Sequence, residues 1–178
     1  MRMAMPTRMS CNSLKENIMS ISLEALLRRS SRMAKNVFDK HGEIPMTWLV
    51  DIPIGQQTIE TPVFFTEENK DEIKDQLNEG MRELFTKIGV SRYVVAFEAW
   101  YWDSEASYRD FCEHRYQQEM VAIYAEDECE CLVAKHEIIR PEHAKPYLGK
   151  LEIIERPKQI QINRWGNLLP RPMPTRLA

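Results

Sequence analysis

Glycine is scarce, with six residues in a chain of 178. None lies in a Walker loop or a dinucleotide fingerprint, so the backbone offers no ready cradle for nucleotide phosphates. Cysteine is scarce too. Cys11, Cys112, Cys129 and Cys131 form no Cys-x-x-Cys pair, which argues against a disulfide framework and favours a reducing compartment, the cytoplasm. No apolar run approaches the roughly 20 residues of a spanning helix, so a soluble chain without a membrane partner is expected. There is no Gly-x-Ser-x-Gly nucleophile elbow. A carboxylate-type nuclease calls for a lysine two residues after a strand glutamate, and Trp100 stands in that position after Glu98. These gaps lean against an enzyme, and no cofactor is indicated.

What is present is a strong signal for architecture. Thr66 is suited to cap a helix, Glu67, Glu68, Asp71 and Glu72 load its first turns with negative charge, and Gly89 supplies the stop. Between them Ile73, Leu77, Met81, Leu84, Phe85 and Ile88 recur at spacings of three and four and share one face. The next segment, residues 92–102, is β-branched and aromatic with no glycine or proline, and reads as a strand apolar on both sides, hence central in its sheet.

An earlier helix is expected over Leu23–Asp39, capped by Ser22 and followed by Gly42. Leu23, Leu26, Leu27, Met33, Ala34, Val37 and Phe38 form its buried side; Arg28, Arg29, Arg32 and Lys35 form a solvated one. Alternation from Met46 to Ile52, a turn over Pro53–Gln56 and a return over Gln57–Phe65 predict a hairpin, and Pro62 assigns the return strand to a sheet edge. Strands are expected over Met120–Ala125, Glu130–Arg140 and Leu148–Glu155, with an acidic turn at Glu126, Asp127 and Glu128. The fold class is therefore α+β: a single domain over residues 19–155 with a mostly antiparallel sheet, element order α-β-β-α-β-β-β-β, and both amphipathic helices on one face. Residues 1–18 read as a disordered extension, with Met19 the expected natural start, and residues 156–178 as an extended tail containing Pro and Arg.

Charge is unevenly placed. Residues 1–40 carry eight Lys/Arg against three Asp/Glu, residues 41–155 eleven against twenty-four, and residues 156–178 five against none. Basic arms flanking an acidic body suit contacts within one molecule or with a protein neighbour better than a phosphate backbone, which the body would repel.

Few side chains suggest chemistry. Glu98 interrupts the apolar strand, where lost hydration raises a carboxyl pKa and suits it to acid–base work or metal binding. With Glu126 and Asp127 it would make a three-carboxylate site for Mg²⁺. The leading expectation for Glu98 is nonetheless structural: it reaches solvent or pairs with Arg92 or Arg140. Cys129, Cys131 and His136 lack the paired spacing of a zinc site, and His136 reads as a hydrogen-bonded core histidine. Both Trp100 and Trp102 are expected in the core, Trp102 with the better chance of exposure because it stands next to Asp103; both are candidates for a recognition patch. The leading expectation is a non-catalytic intracellular binding or assembly module with a protein partner or a homo-oligomeric state. The alternatives are a small metal-dependent hydrolase using Glu98, Glu126 and Asp127, and a nucleic-acid-associated protein acting through its basic terminal arms.

Overall fold

A computed structural model describes residues 21–61, 70–101 and 118–154, together with Gly166, Leu168 and Leu169. The order is α1 (Leu23–His41), β1 (Met46–Ile52), β2 (Gly55–Thr61), α2 (Lys70–Ile88), β3 (Arg92–Tyr101), β4 (Gln118–Glu126), β5 (Cys131–Ile139), β6 (Tyr147–Leu148) and β7 (Glu152–Ile154). The class is α+β, and every strand pairing is antiparallel. The seven-stranded sheet runs β2-β1-β3-β4-β5-β6, with β7 also on β5. As expected, β3 is central and β2 lies at an edge. Both β2 and β3 run antiparallel to the intervening β1, so they are parallel to each other and α2 makes the crossover between them.

The helix ends follow from their capping residues. Ser22 Oγ accepts from the Ala25 N–H at 3.1 Å, and Gly42 takes the left-handed conformation (φ 77°), its N–H donating to the Phe38 carbonyl at 2.7 Å. Gly89 stops α2 in the same way at φ 71°. Two exposed cations of α1 are engaged along its own surface: Arg28 pairs with Glu24 and Lys35 with Asp39. Among the described residues no helix is long and apolar enough to cross a membrane.

The helices lie on opposite faces of the sheet, not on one. Leu23, Leu26, Leu27, Ala34 and Phe38 of α1 pack with Leu49, Val94, Ala96, Val121, Ile123, Ala125, Ala134 and Ile138. Met81 and Phe85 of α2 pack with Trp48, Val50, Tyr93, Val95, Tyr124 and Val133. Adjacent residues of β3 alternate between the two groups, so both sides of the central strand are apolar. Each side needs its own cover, and one helix layer would have left the other exposed to water.

The α2 face is the aromatic one. Trp48 meets Phe85 edge-on at 5.8 Å between ring centroids, and Phe85 meets Tyr93 at 5.1 Å. Burying each such ring stabilises the fold by about 1.5–3 kcal/mol before ordering costs. Leu168, within the segment expected to be a tail, is completely buried in this cluster. Apart from Gly166, Leu168 and Leu169, residues 156–178, and all of residues 1–18, lie outside the described residues.

The last expected strand is broken in two. Ile138 pairs with Leu148, but Lys135 pairs with Glu152, so the outer chain gains one residue between the two ladders, a β-bulge. Its cause is visible at Gly149, whose carbonyl turns to His136 Nδ1 at 2.8 Å while its N–H donates to the Glu137 carbonyl at 2.8 Å.

Candidate functional site

The three carboxylates proposed for a metal do not meet. Glu98 pairs in register with Val121, whereas Glu126 pairs with Tyr93, five positions along β4; at about 3.3 Å per residue that is roughly 16 Å. They also face opposite ways. Glu98 Oε1 accepts the Ile44 N–H at 2.8 Å on the α1 side, while Glu126 meets tyrosines on the α2 side. Asp127 Oδ1 is occupied in its own turn, accepting from the N–H groups of Cys129 (2.7 Å) and Glu130 (2.9 Å). Among the described residues no three His, Cys, Asp or Glu side chains come together to hold a metal ion.

Glu98 does carry the raised pKa expected of it. Partial shielding of its carboxylate from water is the main cause, opposed by the Ile44 hydrogen bond and the charge of Arg140. The residue is nonetheless exposed. The pairing of β1 to β3 ends at Thr47↔Ala96, so β3 beyond Ala96 runs on beside β4 without β1. This projecting ribbon also explains Trp100. Expected in the core, it is 59 % exposed, because the strand that carries it outruns its neighbour. Trp102 lies outside the described residues.

The register creates one polar cluster that the sequence did not disclose. Tyr93 and Tyr124 both donate their hydroxyls to Glu126 Oε2, at 2.7 and 2.8 Å. The Tyr124–Glu126 spacing of two is legible on a single strand, but Tyr93 enters only through β3–β4 pairing. Burial first, and then the carboxylate, push both phenol pKa values well up. The phenols therefore stay protonated as donors and the pair is poorly suited to phenolate chemistry. A Cβ on Gly166 would stand 2.7 Å from Tyr124 Oη, so the glycine permits close passage of the chain over this cluster.

His136 is a core residue, as expected, 4 % exposed. Its Nδ1 donates to the Gly149 carbonyl, which leaves Nε2 to accept from Ser31 Oγ at 2.8 Å. Burial lowers its pKa. A serine and histidine at this distance resemble a nucleophile and base, but both are sealed from solvent, and they serve to join α1 to the bulged edge. Cys129 and Cys131 are both exposed.

Among the described residues the opposite edge of the sheet ends on β2. Among these residues α1 packs over β3, β4 and β5 and leaves a shallow open groove beside β1 and β2, lined by Met33, Val37, Ile44, Leu49, Thr58 and Glu60. The outer wall is β2, which pairs without interruption over seven residues, Gly55 to Thr61, and carries no lysine or arginine. The hairpin closes through the two residues Pro53 and Ile54. In such a hairpin the closing pair Ile52↔Gly55 is hydrogen-bonded and the pairs alternate from there. The backbone groups of Gly55, Gln57, Ile59 and Thr61 thus face β1, and those of Gln56, Thr58 and Glu60 face outward. Nothing in sequence periodicity marks this groove, since it is defined by what α1 fails to cover. Comparison of the chain with protein-family models, curated proteins and solved structures found no match to any of them.

Proposed function

We propose that this protein is a non-catalytic assembly module of the cytoplasm that takes up a protein chain as an added strand along the outer edge of β2. The observation that carries the reading is the straight, unbulged edge of β2 beside an apolar groove. Strand addition draws affinity from main-chain hydrogen bonds and specificity from side-chain pockets, and this flank offers both. The exposed thiols of Cys129 and Cys131 support a reducing compartment.

The test is a photo-crosslinking side chain at Gln57, exposed on the edge strand, introduced in the native host. Covalent adducts with protein are expected, lost when Thr58→Pro removes an outward N–H, and absent from the same probe at Glu79 on exposed α2. Failure to form any protein adduct from position 57 overturns the reading.

A further inference from the structure

We infer that the strand added to β2 is the β2 of a second copy of this chain, paired antiparallel about a two-fold axis through Thr58. The inference rests on the assembly-module reading and names its partner. Three observations converge on it.

The first is backbone parity. Antiparallel pairing across a free edge must match outward-facing residues with outward-facing residues. Among the described residues of β2, Gln56, Thr58 and Glu60 qualify. Placing Thr58 opposite its copy pairs all three, Gln56 against the copy's Glu60 and the reverse, and satisfies six backbone groups on each chain. Sliding by two residues strands one outward residue on each copy.

The second is charge. Arg29 on α1 reaches across to Gln56 Oε1, a neutral acceptor. Glu60 is exposed, and no ion pair among the described residues includes it. Within one chain these two lie apart, because Gln56 and Glu60 are four residues along one strand, about 13 Å. In the Thr58-centred pair, Gln56 faces the copy's Glu60 at about 5.5 Å between Cα atoms and on the same side of the sheet. Each Arg29 then meets a carboxylate, twice by symmetry. No other alignment that satisfies the backbone supplies both contacts.

The third is symmetry. The two-fold stands perpendicular to the sheet, so both α1 helices remain on one face and both α2 helices on the other. The grooves lined by Met33, Val37 and Leu49 then lie on the same face, either side of the axis.

The experiment is sedimentation of the full chain across a hundredfold concentration range. A reversible monomer–dimer equilibrium is expected, weakened by salt. Arg29→Glu alone sets carboxylate against Glu60 and weakens dimerisation at least tenfold; Glu60→Arg alone sets cation against Arg29 with a similar loss. Combining the two reverses both pairs and restores the dimer to within about threefold of the natural chain. In amide exchange, raising concentration slows the N–H groups of Gln56, Thr58 and Glu60 and leaves those of Gln57 and Ile59 unchanged. A chain that stays monomeric throughout, a double variant no better than the singles, or protection without this alternation overturns the inference. Unchanged thermal melting of each variant at monomer concentration excludes misfolding as the cause of a loss. If the chain is monomeric while the Gln57 probe still captures a different protein, only self-association falls; if neither occurs, the module reading falls with it.

Discussion

The two edges of the sheet are built on different terms. At β5 the outer chain is interrupted by a bulge, tied by Gly149 to a buried histidine and anchored by Leu148 in the α1 core. At β2 the outer strand pairs without a bulge from Gly55 to Thr61, with the backbone groups of Gln56, Thr58 and Glu60 turned outward. Bulges, buried anchors and edge charges are how proteins discourage strand addition. One edge here has such protection and the other has little, and that asymmetry is what directs attention to β2.

The difference can be broken most forcefully at the protected edge. Leu148→Ala removes a buried side chain from the α1 core, and its cost is expected at about 2–5 kcal/mol by urea unfolding. A cost near zero would show that the bulged segment is not part of the core. His136→Ala strands Ser31 Oγ and the Gly149 carbonyl, at about 1–3 kcal/mol for each polar group left buried and unpaired. Amide exchange at Gly149 should quicken in the same variant.

Proline distinguishes the two sides of β2 itself. Ile59→Pro deletes an N–H directed at β1 and leaves its carbonyl partner unsatisfied, for about 1–3 kcal/mol. Thr58→Pro deletes an outward N–H and is expected to cost about 1 kcal/mol or less, while abolishing edge pairing. Equal losses at the two positions, in melting experiments at monomer concentration, would refute the assigned strand parity.

Acidification gives a smaller and diagnostic effect. His136 has a lowered pKa in the folded chain, so below its ordinary value of 6.5 the unfolded chain binds the proton that the folded chain refuses. Its contribution is fully present above pH 6.5 and is lost as pH falls from there toward the folded pKa. Urea midpoints measured between pH 7.5 and 5.5 should decline, and the decline should be shallower in His136→Ala. Parallel profiles for the two proteins would remove His136 as the cause.

Much of the fold was legible along the chain because its signals are local. Ser22 and Gly42 mark the ends of α1, Gly89 marks the end of α2, and the two-sided apolar character of residues 92–101 places β3 at the centre. Pro62 assigned β2 to an edge without reference to any neighbour. The site was far less legible. Trp100 looks like core on a strand of apolar residues, yet lies 59 % exposed because β1 stops short of it. Glu98 and Glu126 look combinable only until the register separates them by strand distance and by face.

The sequence by itself determined the elements, their order and the centrality of β3, since capping, periodicity and β-branched composition act over a few residues. Tertiary structure alone decided that α1 and α2 take opposite faces, that Tyr93 joins Tyr124 on Glu126, and that, among the described residues, β2 ends the sheet with Arg29 reaching Gln56. Those outcomes depend on which strand lies beside which and in what register, and pairing over long loops is set by the collective burial of both faces at once, which no local stretch of sequence encodes.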